Sequence, residues 1–176
     1  MKTTGVVRKI DQLGRIVIPK ELRKSLSIKE GDGVEFLLEE DTIVLRKASS
    51  FNGLQNLADS LVNGVYSVTK KNLLITDLNA VISCNDKVES SYKNKPLVPS
   101  YLKLLEKREV FTTTEASSLS IVREQEKEKY YCLMPLVVSG ELIGSVFLFS
   151  ENEPINELDK FILKFILYFF EKNIEV

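Results

Sequence analysis

Thr4-Gly5-Val6-Val7-Arg8-Lys9-Ile10-Asp11-Gln12-Leu13-Gly14-Arg15-Ile16-Val17-Ile18-Pro19-Lys20-Glu21-Leu22-Arg23-Lys24 alternates cations with short apolar runs, breaks at one glycine and restarts at a proline. Residues 1–29 hold eight Lys/Arg against two acids, an excess of six positive charges on a chain whose total is −1. Phosphates reward clustered cations, and a total charge hides them, so this segment has the electrostatic footprint of a polyanion binder.

Local patterning assigns elements to the stretch and its sequel: strands at 5–10 and 15–18 around Gly14, a helix at 20–26, a turn at Gly31-Asp32-Gly33, and strands at 34–38 and 42–46. Pro19 suits the first helical position, where a missing N–H costs nothing. Period-two geometry puts Val6, Arg8 and Ile10 on one strand face and Val7 and Lys9 on the other. On the helix, Leu22 and Leu26 define the buried side, which points Lys20 and Lys24 nearly opposite and leaves Arg23 on the flank. Arg8, Arg15 and Arg23 bring planar forks suited to phosphate or guanine edges, whereas Lys9, Lys20 and Lys24 supply sequence-blind attraction. An ordinary solvated basic face is the alternative. Domains below ~60 residues seldom bury enough surface alone. Two copies of residues 1–47 sharing one sheet core are therefore expected.

With 176 residues, 44% hydrophobic and 28% charged, the chain suits one medium domain or two small soluble ones. Its first residues lack the apolar core of a signal peptide. The apolar run at 161–170 is interrupted by Lys164 and falls short of the ~20 residues of a membrane span. A cytoplasmic protein without a membrane partner is the expectation. Cys84 and Cys132 show no metal-ligand spacing, and the lack of histidine removes His triads, His-ligated haem and the usual zinc and iron sites. No metal and no cofactor are expected. Ser67 with Lys70 and Ser100 with Lys103 match S-x-x-K, and Ser83-Cys84-Asn85 its companion. No K-T-G accompanies them, so chance explains the matches and no catalytic residue is assigned. The chain does not read as an enzyme.

A linker is placed at 48–52 and a second domain at 53–176. Leu54, Leu57, Leu61, Val65 and Val68 mark one face of a helix at 51–69, broadened by Val62 and Tyr66. Strands at 72–77 and 80–84 flank the turn Asp77-Leu78-Asn79. A helix at 99–108 and a strand at 109–113 precede a polar loop at 114–129, whose charged run from Arg123 to Lys129 reads as solvated. Strands at 130–138 and 144–150 flank Ser139-Gly140-Glu141. A last helix, 155–174, is apolar on most sides, as expected of a helix packed on both its own sheet and a partner subunit.

The run from Thr4 to Arg23 resembles the DNA-binding domain of the AbrB family of transition-state regulators, a likeness covering about 47 residues. That resemblance implies a swapped-hairpin dimer with DNA-contacting positions at Arg8, Arg15, Arg23 and Lys24. Lys24 stands where arginine is common, keeping the charge and losing the fork. A long domain behind such a module resembles the stage V sporulation protein T family, and residues 131–146 are similar to the late strand pair of GAF domains. The implied fold is a mainly β swapped-hairpin N-terminal domain followed by an α+β GAF-like domain, an antiparallel sheet with flanking helices. The implied function is a regulator of sporulation genes that binds double-stranded DNA at loosely defined A·T-rich sites. It would be a homodimer through the N-terminal domain, or a homotetramer through the GAF-like helices. Two readings of the second domain stay open: pure oligomerisation, or a small ligand of unknown identity held between sheet and loop 114–129. The rival from another class is an antitoxin-like interaction module, which normally carries an extended tail.

Overall fold

Residues 5–18 form neither helix nor strand, and from Pro19 onward the first unit is built of one short helix and one hairpin. The computed structural model describes residues 5–26, 28, 30, 33–48, 51, 53–125 and 127–174. The chain divides into two units, Met1–Ala48 and Ser49–Val176. Gly31 and Asp32 of the expected turn, and Ser49, Ser50 and Asn52 of the expected linker, lie outside the described residues.

Helix α1 spans Lys20–Ser25. Pro19 occupies the N-cap rather than the first helical position, and its carbonyl accepts from Arg23 N at 2.9 Å. Leu22 is half-buried but Leu26 is exposed, so the expected buried side is only partly covered. Strands β1 (Val34–Glu39) and β2 (Thr42–Lys47) pair antiparallel, with Glu39 opposite Thr42. No residue of 5–18 joins a strand ladder, contrary to the strands expected at 5–10 and 15–18. An extended segment becomes a strand only when a neighbour takes its backbone groups, and within this unit β1 and β2 pair with each other.

The second unit runs α2 (Gln55–Thr69), β3 (Asn72–Thr76), β4 (Val81–Cys84), a 3-10 turn at Asp86–Val88, α3 (Glu89–Tyr92), α4 (Pro99–Leu105), β5 (Phe111–Thr112), β6 (Ser117–Ser118), β7 (Glu128–Val138), β8 (Glu141–Ser150) and α5 (Glu157–Asn173). One antiparallel sheet has the order β4-β3-β8-β7-β5, with β6 also on β7. Helices α2 and α5 cover one face over Leu73, Ile75, Met134, Val146 and Leu148. The opposite face, carrying Leu74, Leu133, Phe147 and Phe149, lies under Tyr92 of α3, Tyr101 and Leu105 of α4, and the loop residues Ile121 and Val122. With both faces covered, β3 and β8 are apolar without alternation.

Two expectations are corrected. Helix α2 buries Val62 and Val65 of the predicted apolar side together with Ala58, while Leu57 and Val68 stay exposed; the buried face is therefore rotated toward small Ala58. Glu128 and Lys129, predicted as solvated loop, begin β7, because β6 pairs with them. The pair Asp86–Val88 and α3 lacked apolar periodicity and were not foreseen.

The β7–β8 hairpin closes on Ser139 (φ 50°) and Gly140 (φ 83°), the left-handed pair that a tight primed turn requires. Gly144 meets a different demand: a Cβ there would stand 1.9 Å from the Thr76 carbonyl oxygen. Beside it Ser145 Oγ lies 2.7 Å from Thr76 Oγ1 and 2.8 Å from Tyr101 Oη, a hydroxyl chain that satisfies three buried groups. On α5, Leu163, Ile166 and Phe170 face the core while Leu158, Phe161, Phe165 and Tyr168 form a second, exposed apolar stripe. No helix among the described residues is long and apolar enough to cross a membrane.

Candidate nucleic-acid interface

Between residues 5–10 and 15–18 of the first unit, Asp11 organises a tight turn. Gly14 N donates to the Asp11 carbonyl at 3.0 Å, and Gly14 adopts φ 77°, a conformation open to glycine at no steric cost. The Asp11 carboxylate accepts from Leu13 N at 2.9 Å, Arg15 N at 2.8 Å and Arg15 Nε at 2.7 Å. The Arg15 amide and then its guanidinium hold this carboxyl below the usual carboxylate range. The tether fixes one edge of the Arg15 guanidinium, and the Nη groups carry no intramolecular hydrogen bond among the described residues.

All six sequence-predicted cations, Arg8, Lys9, Arg15, Lys20, Arg23 and Lys24, are exposed. Arg8 folds back only weakly, its Nη1 donating to the Val7 carbonyl at 3.3 Å. Arg23 and Lys24 sit in the last turn of α1 and Glu21 in its first, the arrangement favoured by the helix dipole. Among the described residues Arg15 alone of the six has an acidic partner, and that pair is solvent-exposed and weak. Asp11 was not singled out from sequence, although an Asp three residues before a turn glycine is a recognisable Asx-turn signal.

The apolar residues around these cations are exposed too. Val7, Leu13 and Val17 are 84%, 75% and 74% exposed, and Phe36, Leu38 and Ile43 of the hairpin face solvent. A shallow groove of about 130 Å³ runs between Val6, Ile16, Ile18 and Leu22, with Leu45 and Arg8 also on its wall. Two serines of the S-x-x-K and S-x-N matches are hydrogen-bonded within the second unit. Ser67 Oγ donates to the Asn63 carbonyl at 2.9 Å and Ser83 Oγ to Asp59 at 2.5 Å, while Ser100 is exposed on α4.

Residues 53–175 match the family described as stage V sporulation protein T C-terminal, transcription factor. Residues 7–52 match the family described as antidote-toxin recognition MazE, bacterial antitoxin. The chain is 32% identical over 161 residues to stage V sporulation protein T of Bacillus subtilis (strain 168), covering 90% of each. It is 53% identical over 47 residues to transition state regulatory protein AbrB of the same organism, a match spanning 27% of this chain and 49% of that protein. The cofactor binding GAF domain of the nutrient sensor CodY from Clostridium difficile shares the fold of the second unit. Its TM-score is 0.51 at 17% identity, over 65% of this chain and 82% of that one. With an AbrB-like first domain and a GAF-fold second domain, the chain belongs to the stage V sporulation protein T family of transcription factors.

Proposed function

We propose that the protein is a transcription regulator that grips duplex DNA through paired copies of its first unit, with Arg8, Lys9, Arg15, Lys20, Arg23 and Lys24 as the residues that meet the duplex. The supporting observation is the coincidence, on one small unit, of six exposed cations with an uncovered apolar surface and segments at 5–10 and 15–18 that join no strand ladder. A second copy completes both the sheet and the apolar core, doubling the positive charge on a two-fold surface. The swapped-hairpin arrangement of the AbrB family is one such completion. DNA readout then rests mainly on phosphate contacts and duplex shape. The names of the relatives point to sporulation genes as targets, and a cytoplasmic location follows from that role. The exposed stripe of α5 is the surface through which the second unit joins dimers into a tetramer.

The MazE-family match of residues 7–52 keeps an antitoxin-like reading in play for the first unit. Against it stands the second unit, a six-stranded sheet with helices on both faces in place of an extended toxin-wrapping tail.

The test is fluorescence anisotropy of the full chain on labelled duplex DNA across a salt series. With about six phosphate contacts per dimer, log K against log salt is expected to slope near −5. Arg15→Ala and Arg23→Ala are each expected to weaken binding without lowering the melting temperature. A flat salt dependence, or unchanged affinity in both variants, overturns the assignment.

A further inference from the structure

We propose that the second unit carries a binding site for a small phosphorylated metabolite, in the cleft where the end of α2, helix α3 and the end of β8 meet. The cleft has a volume of about 250 Å³, and among the described residues of its wall three lysines, Lys70, Lys87 and Lys127, stand against the acid Glu151. Lys127 and Glu151 approach to 3.6 Å and both remain largely exposed, so this pair is screened. Neutral donors fill the gaps: Asn72, Ser91 and Ser150 line the same space.

The second observation lies in the wall itself. Tyr92 and Phe149 line the cleft, and both touch Lys129, which is 1% exposed. Its Nζ donates to Tyr92 Oη at 3.2 Å and lies 4.9 Å from the centre of the Phe149 ring. No carboxylate lies within ion-pair distance of it among the described residues. A buried ammonium is expensive without a counter-charge. Burial pushes its pKa down, Glu151 opposes that shift, and Lys127 adds to it. An anion in the adjoining cleft supplies the missing negative charge.

A phosphate group fits this donor set because its three oxygens accept many charge-assisted hydrogen bonds at once. The aromatic wall suits the organic remainder of the molecule. Size excludes the obvious alternative source of phosphate: 250 Å³ accommodates a metabolite-sized anion and not a nucleic-acid duplex. The site is independent of the DNA-binding assignment, because its residues belong to the second unit alone.

Inorganic pyrophosphate is the probe, titrated calorimetrically into the full chain at constant ionic strength. Lys87→Ala/Lys127→Ala is expected to weaken binding by at least about tenfold. Arg15→Ala/Arg23→Ala is expected to leave it unchanged, which separates this site from the DNA-binding module. Lys129→Met, which keeps the apolar stem and removes the charge, is expected to weaken binding as well. Undetectable heat with the unmodified chain, binding indifferent to the cleft variant, or binding lost only in the arginine variant each overturns the proposal.

Discussion

Lys71 and Asp159 form an ion pair inside the second unit, each side chain only 3% exposed, joining the approach to β3 to the start of α5. The ammonium also donates to the Pro154 carbonyl at 3.1 Å. Asp159 serves twice, since the same carboxylate accepts from Asn156 N at 2.8 Å and closes the capping box of α5. One buried interaction therefore sets where the last helix begins and how it docks on the sheet.

Removing one member of a buried pair leaves the other charge without compensation. Lys71→Met is expected to lower unfolding stability by about 3–5 kcal/mol in urea. Lys71→Met/Asp159→Asn should regain much of that loss, because asparagine keeps the cap and sheds the charge. A double variant no more stable than the single one would contradict this account of the pair.

Gly144→Ala tests the close approach of β8 to the Thr76 backbone. With a Cβ 1.9 Å from the Thr76 oxygen, β3 or β8 must move, and the cost is expected at the upper end of overpacking, about 3 kcal/mol or more. Calorimetric melting checks it; a change of less than one degree would mean the strands separate freely at that point.

Arg15→Lys separates charge from geometry. The lysine keeps the phosphate attraction, so the salt slope of DNA binding should stay the same, while loss of the fork and of the Asp11 tether costs about 1 kcal/mol of affinity. Arg15→Ala should instead flatten the slope by roughly 0.9 for each phosphate it no longer neutralises. Identical slopes for the two variants would show that Arg15 touches no phosphate.

The outer face of α5 is expected to hold subunits together. Phe161→Glu/Phe165→Glu places charges on the exposed stripe without touching Leu163 or Ile166. Analytical sedimentation should show a smaller assembly with an unchanged circular-dichroism spectrum. An unaltered mass removes the interface role.

Lys129 predicts a pH dependence with a definite sign. Its pKa is lowered in the folded chain from an ordinary 10.5, so between the lowered value and 10.5 the unfolded chain binds more protons. Stability then rises with pH across that window, as the buried charge is relieved. Measured in urea from pH 7 to 10.5, the stability of the unmodified protein minus that of Lys129→Met should increase with rising pH. Cys84, whose thiol burial pushes up to about 11 from 9, acts in the opposite direction in both proteins and cancels in the difference. A difference that decreases with pH is the contrary result.

Elements with a local signal were readable in advance. Pro19 followed by Leu22 announced α1, β-forming apolar residues at 34–38 and 42–46 on either side of a turn at Asp41 announced the hairpin, and Ser139-Gly140 announced the β7–β8 turn. The exposure of the six cations was equally plain, because a charged side chain stays in water unless something neutralises it. Asp11 was overlooked beside Arg15, and the short helix at Glu89–Tyr92 had no apolar period to betray it.

Helix, hairpin and charge cluster follow from interactions between residues a few positions apart, and such interactions survive in a linear string of letters. Which face of α2 meets the sheet, why position 144 tolerates no side chain, and why a lysine inside a charged run ends up beside Phe149 all depend on residues brought together from distant parts of the chain. Those outcomes come from close packing and from the cost of burying charge, which exist only once the sheet and its helices have assembled.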